Sequence, residues 1–169
     1  MTASAPARLR VVALAYAVAA VAFAADLVTK MLAVRHLPGH GPVHLVGDLL
    51  TLELARNPGA AFSTGTSHTP IISVIAIIAG LVVVWFLGRV RSIGWAFALG
   101  LLLAGILGNL ADRLFRSPGP FRGHVVDFIA LPHWPVFNVA DMCINVAAVL
   151  ILVLAVRGIR LDGSREQKG

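Results

Sequence analysis

Four apolar segments, each long enough to cross a lipid bilayer, limit what this chain can fold into. They cover about residues 11–34, 70–87, 93–112 and 139–156, and a membrane-spanning helix needs about 20 mostly apolar residues. Only 13% of the 169 residues are charged, whereas an average soluble domain has about 25%. We therefore predict an all-α membrane protein in which four transmembrane helices form a single domain over residues 1–169.

The distribution of lysine and arginine predicts how these helices are oriented, because cytoplasmic segments near the ends of membrane spans carry an excess of both residues. Eight of the 14 fall on one side of a four-helix arrangement, in short flanks: Arg8, Arg10, Arg89, Arg91, Arg157, Arg160, Arg165 and Lys168. We therefore predict that both termini are cytoplasmic. Six of the eight acidic residues and all six histidines then lie at the outer face. Positive charge in this distribution indicates membrane topology rather than nucleic-acid binding.

The first apolar segment has a second interpretation, as a cleaved secretory signal. Arg8 and Arg10 precede the apolar run, and Ala22-Phe23-Ala24 has the small-residue pattern of a cleavage site. However, apolar residues resume after Asp26. We therefore expect an uncleaved first helix, which the intact mass of the purified protein would establish.

The two longer connections, 35–69 and 113–138, are rich in Pro, Gly, His and charged residues and are interpreted as ordered outer loops. In the first, Leu50-Thr51-Leu52-Glu53-Leu54 alternates apolar and polar residues, the pattern of a half-exposed strand. Asn57-Pro58 followed by Gly59 favours a turn at which the backbone can approach a ligand closely. The sequence therefore predicts a small extracytoplasmic β element in the first outer loop.

Two carboxylates, Asp127 and Asp141, lie at the ends of strongly apolar segments. An ionisable side chain in a membrane costs roughly 2.5–3.5 kcal/mol on insertion scales, so its presence usually has a functional reason. Two acids that share one site do not ionise together easily, and one then holds a proton while the other acts as a base. Aspartic proteases use such a pair of carboxyl groups for catalysis. Spacing alone leaves Asp112 open as an alternative partner of Asp141.

Further polar residues cluster at the ends of the first and third apolar segments. Asp26 and Lys30 are four residues apart on the first helix, so we expect an ion pair in which Lys30 extends toward the lipid headgroups. Asn109, Asp112 and Arg113 lie on adjacent stripes of one face of the third helix. Arg113 beside Asp112 indicates a salt-bridged, structural carboxylate.

The fourth helix begins with a polar stripe formed by Asn138, Asp141 and Asn145, which is expected to face protein or water rather than lipid. Cys143 lies in an apolar run and is interpreted as a small hydrophobic residue rather than a nucleophile. The histidines do not have the paired spacing of a helical metal site. We therefore predict no metal site.

Five short motifs occur in order along the chain: Asp26-Leu27-Val28-Thr29-Lys30, Asn57-Pro58-Gly59-Ala60-Ala61-Phe62, Gly108-Asn109-Leu110-Ala111-Asp112-Arg113, Val125-Val126-Asp127-Phe128 and Phe137-Asn138-Val139-Ala140-Asp141. Each motif alone is weak. Together, and with four spans, they make the chain resemble the lipoprotein signal peptidase family of bacteria, also called signal peptidase II. One departure is Met142, where the family commonly has a small hydroxyl residue.

The resemblance implies an aspartic endopeptidase of the bacterial inner membrane that removes signal peptides from prolipoproteins, cutting before a cysteine that carries diacylglyceryl. By motif position, Asp127 and Asp141 correspond to the catalytic pair, which selects Asp127 over Asp112. The residues expected to bind substrate or support the site are Asn57, Gly59, Asn109, Arg113 and Asn138. Those expected to be structural are Asp26, Lys30 and Asp112.

The resemblance also implies which partners the protein has. These are lipidated prolipoproteins, membrane lipid and inhibitors of the globomycin type, and no cofactor is implied. The charge distribution predicts no nucleic-acid partner, and nothing in the sequence requires more than a monomer. The alternative from another functional class is a small transporter or channel whose intramembrane acids carry protons or cations. The sequence disfavours it, because the four spans show no repeat symmetry and the acids lie near helix ends.

Overall fold

The computed structural model describes residues 5–39, 41–59 and 69–165, which form four long helices and one small sheet. The helices are α1 (Ala5–His36), α2 (Thr69–Leu87), α3 (Ile93–Phe115) and α4 (Val139–Val156). All four are long and apolar enough to cross a membrane, which confirms the four predicted spans. α1 starts before residue 11 and α3 continues past residue 112, so both helices extend beyond the apolar runs that predicted them.

α3 is the central helix of the bundle and contacts α1, α2 and α4. In its most apolar window 56% of the residues are buried, against 17% in α1 and α4. Glycines on α3 allow close approach of the neighbouring helices. A Cβ atom on Gly100 would lie 2.6 Å from the Ala15 carbonyl oxygen of α1, and one on Gly105 would lie 2.5 Å from the Ala140 carbonyl oxygen of α4.

A three-stranded antiparallel sheet lies at the end of the bundle where α1 and α3 finish and α2 and α4 begin. Its strands are β1 (Val43–Val46), β2 (Leu50–Asn57) and β3 (Val125–Ala130), in the order β1-β2-β3. The strand predicted over residues 50–54 is confirmed as part of β2. The β element predicted in the first outer loop is confirmed as β1 and β2, and the second outer loop adds β3 to the same sheet. The first four residues of β3 are buried on both faces, so this strand lacks the apolar-polar alternation that identified β2.

The register of β2 and β3 brings the two outer loops side by side. Ala55 is opposite Asp127, and Asn57 is opposite Val125. Val126 and Phe128 pack in one cluster with apolar residues at the end of α1. Because successive side chains of a strand point to opposite faces, Asp127 faces away from that cluster.

Candidate active site

Asp127 is held in β3 by two side-chain amides from other elements. Its side chain is 2% exposed. Asn57 at the end of β2 donates through Nδ2 to Asp127 Oδ2 at 3.1 Å, and Asn138 Nδ2 donates to Asp127 Oδ1 at 2.6 Å. The sheet register therefore presents Asn57 to Asp127, and the start of α4 supplies the second donor.

Asp141 lies in the first turn of α4, where it forms a capping box with Asn138. Asn138 Oδ1 accepts from the Asp141 backbone N–H at 2.9 Å, and Asp141 Oδ2 accepts from the Asn138 backbone N–H at 3.2 Å. This reciprocal arrangement satisfies amide groups at the helix start and places a negative charge at the positive end of the helix dipole. Asn109 of α3 donates through Nδ2 to the remaining oxygen, Asp141 Oδ1, at 2.8 Å.

Asn138 joins the two carboxylates, which we call the acid pair (Asp127 and Asp141). Its side chain is fully buried; its Nδ2 contacts Asp127, while its backbone and Oδ1 hold Asp141. The pKa of Asp127 is raised to about 6, mainly by burial and also by the charge of Asp141, while hydrogen bonds from Asn57 and Asn138 oppose the shift. The arrangement is thus a pair of interacting acids stabilised by neutral amides, which can share one proton.

Arg113 lies on α3 in the electrostatic field of both members of the acid pair. Its side chain is buried and Nη1 donates to the Asn109 carbonyl oxygen at 3.4 Å. Within the part of the chain that the structure describes, Arg113 Nε has no hydrogen-bond partner. A guanidinium with an uncommitted donor next to two acids is suited to bind a carbonyl oxygen of a ligand.

The turn predicted at Gly59 is present beside Arg113. Gly59 has a φ of +100°, and its N–H donates to Asn57 Oδ1 at 2.8 Å. A Cβ atom at this position would lie 2.9 Å from Ile72 Cδ1 and 3.5 Å from Arg113 Nη2. Both the backbone conformation and the close approach therefore require glycine. The remaining residues of this motif, Ala60, Ala61 and Phe62, lie outside the described residues.

A second group of buried charges lies next to the acid pair, and we call it the ion cluster (Asp26, Lys30, Asp112 and Arg116). Lys30 Nζ is 2.9 Å from Asp26 Oδ2 and 2.9 Å from Asp112 Oδ2. Arg116 Nε pairs with the other oxygen of Asp112. Each carboxylate of this cluster thus contacts at least one cation, unlike either member of the acid pair.

The ion cluster corrects two expectations from the sequence. The predicted pair of Asp26 and Lys30 is present, but Lys30 is fully buried and does not extend toward the headgroups. Two carboxylates compensate the cost of burying its charge. Asp112 pairs with Lys30 and Arg116 rather than with Arg113. Arg116 was missed, although its position four residues after Asp112 on a helix could have identified it.

The ion cluster also holds the two backbone segments that carry the acid pair. Asp112 Oδ2 accepts from the Val126 N–H at 3.1 Å, and Asp26 Oδ1 accepts from the Ala140 N–H at 2.8 Å. Val126 immediately precedes Asp127 in β3, and Ala140 immediately precedes Asp141 in α4. A carboxylate of the ion cluster therefore holds the backbone directly before each member of the acid pair.

The polar stripe predicted on α4 is only partly incorporated into the site. Asn138 and Asp141 belong to it, but Asn145 is exposed on the surface of the helix. Cys143 is buried, in agreement with its interpretation as a hydrophobic residue. In the described ranges, no three His, Cys, Asp or Glu side chains are grouped in a way that could hold a metal ion.

Comparison with known proteins places this site in a family. The family model described as signal peptidase (SPase) II matches residues 18–157. Proteins named lipoprotein signal peptidase are similar to this chain: that of Rhodococcus jostii is 48% identical, with 90% of this chain and 77% of the relative covered, and that of Mycobacterium avium is 48% identical, with 93% and 85% covered. The relative from Mycobacterium tuberculosis is 44% identical, with 98% and 83% covered.

The fold is similar to that of a solved bacterial membrane enzyme, determined by the in meso method at 2.3 Å resolution. The TM-score is 0.76 at 26% sequence identity, and the match covers 91% of this chain and 94% of the other. The site described above lies almost entirely within the residues that the family model matches. From its sequence and its fold together, this multi-pass membrane protein belongs to the signal peptidase II family of proteases.

Proposed function

We propose that this protein removes signal peptides from prolipoproteins as an aspartic endopeptidase, with Asp127 and Asp141 as its catalytic residues. Membership of the signal peptidase II family supports the removal of signal peptides from prolipoproteins. The observation that carries the catalytic assignment is the link through Asn138, which holds the buried Asp127 and the half-buried Asp141 at one site with amides as their hydrogen-bond partners. Among the residues that the structure describes, neither acid forms an ion pair, although the Arg113 guanidinium lies in the field of both.

In the proposed mechanism Asp141 is the base and Asp127 is the acid. Asp141 accepts hydrogen bonds from Asn109 Nδ2 and the Asn138 N–H at the start of a helix, and both features favour its ionised form. The pKa of Asp127 is about 6 because the carboxyl is buried and close to Asp141. The pair therefore carries one proton in mildly acidic solution, and Asp127 is the better site for it.

The two acids activate a water molecule bound between them. Asp141 takes a proton from the water as the water oxygen bonds to the scissile carbonyl carbon, and Asp127 donates its proton to the carbonyl oxygen. The C–N bond then breaks as Asp141 passes its proton to the leaving nitrogen. Asp127 recovers a proton from a hydroxyl of the tetrahedral intermediate. The products are a carboxylic acid and an amine, and both acids return to their starting states.

Residues around the acid pair position the substrate. Arg113 binds a substrate carbonyl oxygen through its uncommitted donors, in agreement with the unpartnered Nε among the described residues. Asn57, Asn109 and Asn138 keep the acids in place, and Gly59 allows the peptide backbone to approach Arg113. Precise positioning of reacting groups of this kind supplies a large part of enzymatic rate enhancement.

The site lies at one end of the helical bundle, which suits a substrate anchored in the same membrane. We place this end at the outer face of the bacterial inner membrane, with both termini in the cytoplasm, on the basis of the lysine and arginine distribution. The cleaved bond is the one before a cysteine that carries diacylglyceryl, with the acyl chains lying against the apolar helices. Globomycin-type peptides inhibit the enzyme. The chain acts as a monomeric single domain.

The test is cleavage of a purified diacylglyceryl prolipoprotein by the purified protein in detergent micelles. We expect mass spectrometry to show a product whose N-terminal residue is the lipidated cysteine, and no product from the same substrate with that cysteine replaced by serine. D127N and D141N should each be inactive while accumulating normally in the membrane. Full activity of D127N would overturn the catalytic assignment, and cleavage at another bond would overturn the proposed specificity.

A further inference from the structure

We infer that Lys30 is a positioning residue for catalysis, because it fixes the orientation of the Asn109 side-chain amide that holds Asp141. This inference rests on the proposed function, since it concerns how the base is prepared. Lys30 lies on α1, and its contacts among the described residues are with Asp26, Asp112 and Asn109 and with the Gly108 carbonyl oxygen. Its charge also acts on Asp127 through space, whereas its link to Asp141 passes through Asn109 of α3.

The contacts of Asn109 divide its amide group into an accepting side and a donating side. Lys30 Nζ donates to Asn109 Oδ1 at 3.1 Å, and Asn138 Nδ2 donates to the same oxygen at 3.1 Å. On the other side, Asn109 Nδ2 donates to Asp141 Oδ1 at 2.8 Å. With Oδ1 facing two donors, the NH₂ group faces the carboxylate of Asp141.

The opposite orientation of this amide would be unfavourable at every contact. A rotation by half a turn about the last side-chain bond would place the NH₂ group of Asn109 against the ammonium of Lys30 and the amide of Asn138. It would also place Oδ1 of Asn109 against the carboxylate of Asp141. Donors then meet donors and acceptors meet acceptors in a buried site, where unsatisfied polar groups are costly.

The positive charge of Lys30 favours this orientation of the Asn109 amide more strongly than a neutral amide donor would. Hydrogen bonds from a charged donor are shorter and about twice as strong as neutral ones. Lys30 is also fully buried and held between Asp26 and Asp112, so its ammonium cannot turn toward solvent. The consequence for Asp141 is a fixed N–H donor that stabilises the ionised base before the substrate arrives.

An experiment must separate this role from the structural role of the ion cluster. Replacement of Lys30 alone leaves Asp26 without a cation, whereas Asp112 keeps Arg116. The test variant is therefore D26N/K30M, which removes the ammonium and the carboxylate that depends on it. The matched control is R116M, which removes the other cation of the same cluster without touching Asn109.

We expect kcat of D26N/K30M to fall about 10- to 100-fold per folded enzyme, with KM close to that of the wild type. Its kcat–pH profile should differ from that of the wild type, because the Asn109 amide that holds the base is no longer fixed in one orientation. R116M should lose thermal stability but keep the wild-type kcat and pH profile. K30M alone, where it accumulates, should show the same change of kcat.

A spectroscopic readout is simple because the chain contains four asparagines: Asn57, Asn109, Asn138 and Asn145. With asparagine labelled at the side-chain nitrogen, NMR should resolve four NH₂ groups. In the wild type the Asn109 signal should titrate together with the acidic limb of the activity profile, and the exposed Asn145 should not respond. In D26N/K30M the Asn109 signal should lose this titration.

The outcomes separate the inference from the proposed function. If D127N and D141N are inactive but D26N/K30M keeps the wild-type kcat, pH profile and Asn109 titration, the role of Lys30 is wrong and the acid pair stands. If D127N or D141N is fully active, the proposed mechanism is wrong. Because the wild-type titration needs no variant, an Asn109 signal that ignores pH in active enzyme overturns the inference even if D26N/K30M does not accumulate.

Discussion

The acid pair and the ion cluster are adjacent and each contains two aspartates, of which only Asp141 is partly exposed, but their charges are stabilised in opposite ways. In the ion cluster, Asp26 and Asp112 each lie 2.9 Å from the ammonium of Lys30. In the acid pair, the hydrogen-bond donors found among the described residues are the side chains of Asn57, Asn109 and Asn138 and the backbone N–H of Asn138. One region neutralises its carboxylates with cations, and the other solvates them with amides.

This difference indicates which buried acids can transfer protons. A carboxylate next to a cation is held in the ionised form and contributes to structure. A carboxylate that has only neutral donors and another acid nearby has a raised pKa and can exchange a proton near neutral pH. An aspartate is therefore suited to a structural role in the ion cluster and to catalysis in the acid pair.

The largest expected effect is on the activity of acid-pair variants compared with that of an ion-cluster variant. D127N and D141N should each reduce the rate of prolipoprotein cleavage by at least about 1,000-fold, the scale of losing acid–base catalysis. D112N should keep a kcat within about tenfold of the wild type when corrected for folded protein. Single-turnover assays in micelles measure both. Equal losses in D112N and D127N at equal folded fraction would abolish the distinction between the two regions.

Stability should show the reverse order. D112A removes a partner from both Lys30 and Arg116 and an acceptor from the Val126 N–H, so we expect a loss of about 3–5 kcal/mol. D127N should cause no comparable loss, because Asp127 forms no ion pair among the described residues. Thermal unfolding in a fixed detergent, followed by circular dichroism, gives the comparison. A D127N protein less stable than D112A would contradict this reading.

The pH dependence should distinguish the acid pair from the ion cluster. The pKa of Asp127 is about 6 in the folded protein and 3.8 for an ordinary aspartate. A raised folded-state pKa favours the protonated carboxyl, so this contribution to stability is present below pH 3.8 and lost as the pH rises through about 6. Activity that needs one shared proton should fall about tenfold per pH unit above that value.

Profiles of kcat/KM against pH and of melting temperature against pH test this prediction, since the former reports the free enzyme. The control is D127N, whose melting temperature should no longer contain the component that changes near pH 6. A wild-type kcat/KM that rises steadily from pH 6 upward would show that the acid pair does not need a proton.

The smallest effects should come from two glycines one turn apart on α3. A Cβ on Gly108 would lie 2.5 Å from Asp26 Oδ2, and one on Gly105 would lie 2.5 Å from the Ala140 carbonyl oxygen. G108A and G105A should each cost about 1–3 kcal/mol. G105A should also lower kcat, since it moves α4 and with it Asp141. G80A is the matched control, because its Cβ would have its nearest contact at 3.6 Å.

Thermal unfolding and cleavage assays of these three variants measure these effects. They show whether a loss comes from displacement of a neighbouring helix or simply from adding a methyl group to a helical glycine. G80A should stay within about 0.5 kcal/mol of the wild type. A loss in G80A equal to that in G105A would mean that alanine is disfavoured on these helices in general.

Patterns within a single segment predicted much of the fold. Four apolar runs predicted the four helices, and the alternation over residues 50–54 predicted a strand that the structure extends to Asn57. The turn at Gly59 was also predicted, and it has the positive φ that glycine permits. Each of these patterns involves residues that are close together along the chain, so a single sequence was sufficient to predict the helices, the strand and the turn.

The features that sequence patterns missed depend on contacts between distant segments. β3 is buried on both faces by packing of the two outer loops, so its residues show no alternation. Lys30 was expected near the headgroups because lysine alone is costly to bury, whereas two acids from different helices make burial acceptable. The pairing of Asp112 with Arg116 is an exception, because the two residues are only four apart and their spacing could have indicated the pair.

The sequence by itself determined that this chain spans a membrane four times and carries several acids at the ends of those spans, because hydropathy and charge are properties of each segment. It left open, by spacing, whether Asp112 or Asp127 is the partner of Asp141. Only the tertiary structure shows that Asp112 lies against Lys30 and Arg116 while Asp127 shares Asn138 with Asp141, and this geometry supports our proposal that Asp127 is the partner. The role of a buried acid depends on the charges that surround it, and those charges come from parts of the chain that only folding brings together.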